Sequence, residues 1–346
     1  IEPRRREERE GSLQKTLWAS FAPLRRIIVT DLGDIQRART LVSPHIHSTP
    51  VTFDEKLGVW LKWENQQTTG SFKLRGALNK VLSLSAEERA RGLIAASAGN
   101  HGQGVALAAK MAGAKVTVYV PQEAAQIKVD KMYALGAEVV HVPGQYGDAE
   151  ATAIRTANEQ GRAFVSPYND SLVIAGQGTL ALELAEQCPD TIRWLIPVGG
   201  GGLIAGMIAG APTAVSVIGV QSEASPYLYH EFHYRDMSKA VELPSLADGL
   251  SGAIEPGSVT IEAIHGAADV RLVTEAQIAE AIAYAFHAHG HVIEGSGAVG
   301  LAAVLSGQLK GDGRTVVLIS GGNIDSDKHR KICERDSATE TQRSRR

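Results

Sequence analysis

The sequence predicts an α/β protein in which helices cover parallel sheets. Three observations lead there. Short runs rich in β-branched residues recur along the chain. Several are continuously apolar, such as Val116-Thr117-Val118-Tyr119-Val120 and Val316-Val317-Leu318-Ile319, as strands buried on both faces are. Between them lie Ala-, Leu- and Glu-rich stretches of helical length and period, and alternating strand and helix is the pattern of a parallel sheet. Glycine is in surplus, 36 of 346 residues against about 7% on average, and its clusters follow strands.

The expected strands are 59–63, 93–97, 115–121, 138–142, 163–166, 193–198, 215–221, 269–273 and 315–320, and helical period marks 104–111, 149–160, 179–186 and 275–287. The stretch 68–167 has a βαβ rhythm of its own, and the strands from Arg193 onward form a second set with 59–63. Two domains are expected: a discontinuous larger one, 29–67 with 168–335, and a smaller one, 68–167. An arm, 1–28, and a tail, 336–346, flank them. The run Arg4-Arg5-Arg6-Glu7-Glu8-Arg9-Glu10 reads as a solvated arm rather than a signal peptide, and the polar C-terminal stretch as a frayed end.

Composition excludes several functions. Lys and Arg number 35 against 38 Asp and Glu, a net charge of −3, whereas a nucleic-acid partner needs a basic surface. Two cysteines, Cys188 and Cys333, are too few for a disulfide scaffold and point to a reducing compartment. The apolar stretch 17–30 is broken by Arg25 and Arg26, too short to span a bilayer. A cytoplasmic protein is expected, with neither nucleic acid nor membrane as partner.

Four motifs carry chemistry. Gly199-Gly200-Gly201-Gly202 follows an expected strand and opens a helical stretch. Backbone N–H groups at a helix N-terminus bind anions, whereas a plain turn needs only one or two glycines. Gly200-x-Gly202-x-x-Ala205, with Glu223 about 20 residues on, also fits a dinucleotide fingerprint, so a nicotinamide oxidoreductase competes on this loop alone. A second cluster, Gly99-Asn100-His101-Gly102-Gln103-Gly104, likewise follows a strand, and the pair suggests a ligand with two anionic ends. In Thr69-Gly70-Ser71-Phe72-Lys73-Leu74-Arg75, Thr69 or Ser71 is placed to cap a helix. Lys73 then falls in a first turn that disfavours cations, where a surface lysine is unusual; the spacing alone leaves a plain helix lysine and a nucleophilic amine of lowered pKa both open. The fourth, Ser320-Gly321-Gly322-Asn323, follows a buried run at the strand end where open α/β sheets bind ligands, and an ordinary turn reads the same way.

Taken together and in this order, Ser71-Phe72-Lys73-Leu74-Arg75-Gly76, Ser97-Ala98-Gly99-Asn100-His101, the tetraglycine and Ser320-Gly321-Gly322-Asn323 resemble the fold-type II pyridoxal-phosphate enzymes, with their tryptophan synthase β-like fold. Within them the chain is similar to the short, catabolic-type threonine (serine/threonine) dehydratases. Ile174-Ala175-Gly176-Gln177-Gly178-Thr179, Gly219-Val220-Gln221-Ser222-Glu223 and Ala247-Asp248-Gly249 match too. The resemblance displaces the nicotinamide reading, whose fingerprint explains one loop.

It implies pyridoxal 5′-phosphate as cofactor, with Lys73 as the catalytic Schiff-base lysine and Gly199, Gly200, Gly201 and Gly202 on the phosphate. Asn100 would meet the ring hydroxyl and Ser320 the pyridine nitrogen. Phe72 would lie beside the ring, with Asp248, Gly249 and Glu294 nearby. Ser97, Ala98, Gly99, Asn100 and His101 would receive the substrate carboxylate. The reaction implied is dehydration and deamination of L-threonine to 2-oxobutyrate and ammonia, and of L-serine to pyruvate, by a homodimer or homotetramer with a small amino acid as its partner. Another β-hydroxy amino acid, such as 3-hydroxyaspartate or phenylserine, is the alternative on the same scaffold. Serine racemases of this fold carry a serine where this chain has Ala98, so racemisation is not expected. Their acidic metal ligands fall on Gln221 and Tyr227, so no metal is expected. His287, His289 and His291 near a helix end, and His230 with His233, are read as a basic, solvated helix C-terminus rather than as ligands. Trp60 and Trp63 are read as packing, and Gly311 and Gly313 as turns.

Overall fold

The computed structural model describes residues 29–344, with side chains through 335. The expected arm at 1–28 lies outside the described residues. Asp31 caps the first helix, α1 (Leu32–Val42), in a reciprocal box with Asp34, which satisfies N–H groups that the first turn leaves unpaired. A hairpin follows, β1 (Val51–Asp54) and β2 (Val59–Trp63). Next come α2 (Lys73–Ser83), α3 (Ala86–Arg91), β3 (Leu93–Ala96), α4 (Asn100–Met111), β4 (Val116–Pro121), α5 (Gln126–Ala134), β5 (Glu138–Val142), α6 (Tyr146–Gln160), the two-residue β6 (Ala163–Phe164) and α7 (Ser171–Gln187). The remainder comprises β7 (Arg193–Pro197), α8 (Gly202–Gly210), β8 (Ser216–Ser222), α9 (Tyr227–Tyr234), α10 (Val259–Ala263), β9 (Asp269–Val273), α11 (Glu275–His289), α12 (Gly295–Leu305), β10 (Thr315–Ile319) and α13 (Ser326–Ser344).

The strands form two sheets, ordered β1-β2-β10-β7-β8-β9 and β5-β4-β3-β6. Every pairing is parallel except β1 with β2. All nine expected strands are present. β1 was not among them, because an edge strand with two exposed central residues carries no apolar run. The helical backbone continues to Ser344 where a frayed tail is expected. Among the described residues no helix is long and apolar enough to cross a membrane.

The helix α7 is the spacer of the molecule. It is buried from Val173 to Ala181, and its glycines let two other helices approach to backbone contact. A Cβ on Gly176 would lie 2.6 Å from the Arg75 carbonyl oxygen of α2, and one on Gly206 of α8 would lie 2.5 Å from the Ile174 carbonyl oxygen. Beneath α2 runs a closed charge network. Arg75 donates to Glu64 through Nε (2.9 Å) and Nη2 (2.8 Å), and to Glu183 (2.8 Å). Lys62 reaches Glu183 and the Thr49 carbonyl at 2.5 and 2.7 Å. Burial opposes these charges, but Glu64 and Glu183 raise the Arg75 pKa well beyond its ordinary value. The expectation that Gly311 merely turns the chain is corrected. A Cβ there would lie 1.8 Å from the Leu57 carbonyl oxygen, so Gly311 is a close-approach glycine. Gly313, with φ +75° and open space around it, is a turn.

Gly176→Ala should therefore destabilise the protein by about 1–3 kcal/mol, the usual cost of overpacking. Gly147→Ala, on exposed α6 with open space at its Cβ position, should stabilise by about 0.5–1 kcal/mol. Urea unfolding of both variants checks the pair, and equal effects would contradict the spacer role of α7.

Candidate active site

The four motifs meet at the C-terminal ends of strands. Ser97 follows β3, Gly199 closely follows β7, and Ser320 follows β10. Lys73 is the first residue of α2, and the N-cap position belongs to Phe72, with no side-chain cap. The capping expected of Thr69 or Ser71 is corrected here: both hydroxyls are buried without a hydrogen-bond partner. The backbone anchors the turn instead. Ser71 bridges Gly321, Phe72 N–H donates to the Ser320 carbonyl at 3.1 Å, and Gly322 N–H to the Gly70 carbonyl at 3.0 Å. The third and fourth motifs are thus locked antiparallel.

Lys73 is half-buried, and its Nζ donates to the Pro167 carbonyl at 2.8 Å. Burial pulls its pKa down to about 8, and the Glu294 carboxylate partly opposes that shift. The Phe72 ring centroid lies 5.2 Å from the same nitrogen. Pro167 links Lys73 to the tetraglycine, because the next residue, Tyr168, packs on it. A Cβ on Gly200 would lie 2.4 Å from the Tyr168 ring, on Gly199 2.8 Å from Leu250, and on Gly201 2.8 Å from Leu228 and Thr260. Gly201 also has φ +86° and precedes the N-terminus of α8. Loop and helix together make a cradle of backbone N–H groups.

Asn100 opens α4 and donates to Glu294 Oε1 at 2.6 Å. Glu294 is buried, and burial, with Asp248 adding, raises its pKa to about 7. Ser97 Oγ accepts from Gly99 N–H at 3.1 Å. His101 turns inward. Its Nε2 lies 2.8 Å from the Val165 carbonyl oxygen, and burial, with the Lys73 charge adding, lowers its pKa to about 3. Burial therefore favours a neutral His101 ring held by Val165 through Nε2, while Nδ1 is buried without a hydrogen-bond partner. Ser320 Oγ makes a long, 3.4 Å bond to the Ser296 carbonyl.

Sequence reading missed Tyr168, Leu250, Leu228 and Thr260 around the glycine loop. They stand in turns or short helices without a periodic signal, and Tyr168 sits in a Pro-Tyr-Asn-Asp turn. Gln221 Oε1 accepts from Tyr229 N–H at 3.0 Å. Among the described residues no group of three or more His, Cys, Asp or Glu side chains could hold a metal ion. The expectation of solvated histidines is corrected for two of them: His289 and Tyr284 each bond Asp54 at 2.8 Å, and the His291 ring packs tilted against Trp63.

A family model described as "Pyridoxal-phosphate dependent enzyme" matches residues 42–321. The chain belongs to this family. An L-threonine ammonia-lyase from Thermotoga maritima is 42% identical over 305 residues, 85% of this chain and 76% of that protein. A catabolic L-threonine dehydratase from Staphylococcus aureus is 38% identical over 312 residues, 86% and 90% of the two chains. Among solved structures, maize serine racemase superposes with a TM-score of 0.81 at 28% identity, covering 90% of this chain and 99% of that one.

The residues present fit pyridoxal phosphate. The glycine cradle suits a phosphate, and its depth depends on four missing side chains. The Thr69 and Ser71 hydroxyls are buried and unpartnered beside Lys73. Lys73 itself carries an amine that is partly neutral near physiological pH, as covalent capture of an aldehyde requires.

In the cofactor-free protein, Lys73 should react with an amine-selective reagent increasingly between about pH 7 and 9, because a group titrates within about one unit of its pKa. Raising the pH through about 8 increases its neutral fraction. Glu294→Gln removes the charge that holds this pKa up, so the midpoint should move toward acid. Mass-spectrometric quantification of the labelled Lys73 peptide reads both effects, and a midpoint near 10 would contradict the burial argument.

Proposed function

We propose that this protein is a threonine ammonia-lyase, acting on L-threonine and also on L-serine. The observation that carries the reading is Lys73: a desolvated amine with one carbonyl partner, beside a phosphate cradle and facing no paired carboxylate. Two relatives named for threonine deamination, at 42% and 38% identity, support the substrate.

In this reading Gly199 to Gly202 hold the phosphate, Asn100 meets the ring hydroxyl, Ser320 faces the ring nitrogen and Phe72 lies beside the ring. Pyridoxal phosphate, bound through Lys73, supplies an electron-withdrawing ring that acidifies the substrate Cα–H. The chain does the rest. Backbone N–H groups of the 97–101 loop bind the substrate carboxylate. The Lys73 amine would hold the α-proton, as a base whose lowered pKa matches the task. Loss of the β-hydroxyl as water leaves an enamine. After release this tautomerises to an imine, and water converts it to 2-oxobutyrate and ammonia. Ser320 offers a neutral hydrogen bond, which does not hold the ring nitrogen protonated and so favours prompt elimination. The separation of the strands into two sheets supports the proposed domains, 29–67 with 168–335 and 68–167. Cys188 and Cys333, both buried and outside any disulfide, support a reducing, cytoplasmic setting. Exposed Phe53 and Val292 offer apolar surface for assembly into a homodimer or homotetramer, whose copy number light scattering would read.

The purified holoenzyme should release 2-oxobutyrate and ammonia in equal amounts from L-threonine, and faster than it consumes 3-hydroxyaspartate or phenylserine. Lys73→Ala should lose at least about a hundredfold in rate, the contribution of a placed general base. Wild type should form no D-serine, and Ala98→Ser should gain measurable racemisation. Negligible turnover of threonine beside rapid turnover of another of these substrates would transfer the assignment to that substrate.

A further inference from the structure

Asn323 ends the fourth motif, and its side-chain amide is held from three directions. Its Nδ2 donates to the Thr69 carbonyl at 2.8 Å and to Asn100 Oδ1 at 2.8 Å. Its Oδ1 accepts from Lys131 Nζ at 2.8 Å. A carbonyl only accepts, and an ammonium only donates. Thr69 and Lys131 therefore demand the same sense of this amide, NH₂ toward one and oxygen toward the other. Asn323 can then offer Asn100 only an N–H. Asn100 must answer with its oxygen, which leaves its own NH₂ facing Glu294 Oε1 at 2.6 Å. Two amides with no intrinsic preference of sense are thus set by residues that do not hydrogen-bond Glu294. The chain also crosses the molecule. Lys131 stands on α5, whose Val129 and Met132 pack in the core beneath the four-stranded sheet, whereas Asn323 follows β10 of the other sheet.

We infer that Asn323 is a positioning residue for the cofactor: it fixes the N–H-donating sense of Asn100, and Lys131 fixes Asn323. The inference rests on the reading above, which places pyridoxal phosphate beside Asn100. With Asn100 reversed, its oxygen would face the Glu294 carboxylate and the electron-rich ring oxygen together. Lys131 is exposed, so the link is strongest when the two sheets lie as close as they do here, and it ties the sense of Asn100 to that closeness.

Asn323→Asp tests this with a side chain of nearly the same shape. A carboxylate can keep Lys131 but cannot donate to Asn100. Stripped protein titrated with pyridoxal phosphate, followed by absorbance, should bind about tenfold more weakly, the scale of one hydrogen bond at a charged group. In an Asn100→Ala background the same change should cost less than about twofold, because nothing remains to be oriented. Lys131→Met, at a surface position, should act in the same direction more weakly and should also lose its effect in that background. If Asn323→Asp does not fold, Lys131→Met carries the same two-background comparison. Equal effects in both backgrounds, or no effect in either, overturn the inference. A chromophore that forms undiminished in Lys73→Ala would overturn the cofactor reading itself, a separable failure because that variant leaves Asn323 and Lys131 intact.

Discussion

Backbone-to-backbone packing of two helices on α7 is the constraint on which the site depends. α2 begins with Lys73, and α8 begins with the last glycine of the tetraglycine. Each approaches α7 at a distance that no side chain could share, α2 through Gly176 and α8 through the opposed Gly178 and Gly206. Their separation is therefore set by main chain on α7 and not by adjustable side chains. An amine that must bond one end of a ligand and a cradle that must hold the other need a fixed spacing, and interiors packed like crystals resist change in it. The glycines of 174–179 make room for main chain: Gly176 for α2 and Gly178 for α8. They decide how far the chemistry lies from the phosphate.

The electrostatics divide two lysines, Lys62 buried and Lys73 half-buried, by the same logic. Burial lowers the pKa of both Lys62 and Lys73. Lys62 is compensated by Glu183, the Thr49 carbonyl and Gln187, inside a network where two cations face two anions. Its charge is held and its role is architectural. Removing one partner would strand a charge, which is far costlier than the pair is stabilising. Lys73 has one carbonyl and a distant Glu294, so its neutral form stays within reach. Arg75, two residues on, ties α2 to the turn after β2 and to α7 through Glu64 and Glu183, and consumes both carboxylates away from Lys73. Anchoring is therefore separated from activation within the first turn of a single helix.

Much of this was legible in the sequence. Strands buried on both faces, such as β3 and β10, are apolar almost throughout and could be read from that alone. The less buried β5, β6 and β9 were marked by their β-branched or apolar residues, whereas β1, exposed at its centre, was not read. α12 escaped for the opposite reason: it is buried on every side, so its sequence carries no amphipathic period. The glycine loops and Lys73 stood out because short contiguous motifs hold them. What failed were inferences that needed a partner from afar. Capping by Thr69 or Ser71 is a local rule, overridden by the bridge between Ser71 and Gly321. The burial of His101 against Val165, the Tyr168 wall of the cradle and the contact of Gly311 with Leu57 each join residues distant in sequence, and no local pattern encodes them.

Shared architecture does not settle which reaction such a site runs. The superposition on a racemase is close at 28% identity, and the relatives named for deamination are more similar in sequence. A fold fixes positions, and the side chains at those positions fix chemistry. Racemisation needs a proton acceptor on one face of the substrate carbon and a donor on the other. Elimination needs one base and a leaving group. At position 98 the methyl of alanine can neither give nor take a proton, and the neighbouring His101 is turned away and held neutral. A carbon deprotonated from the Lys73 side then finds no proton donor in the side chain at position 98, and departure of the β-hydroxyl is the favoured exit. In this reading the absence of one hydroxyl, in a loop otherwise built to hold a carboxylate, directs the outcome toward ammonia release.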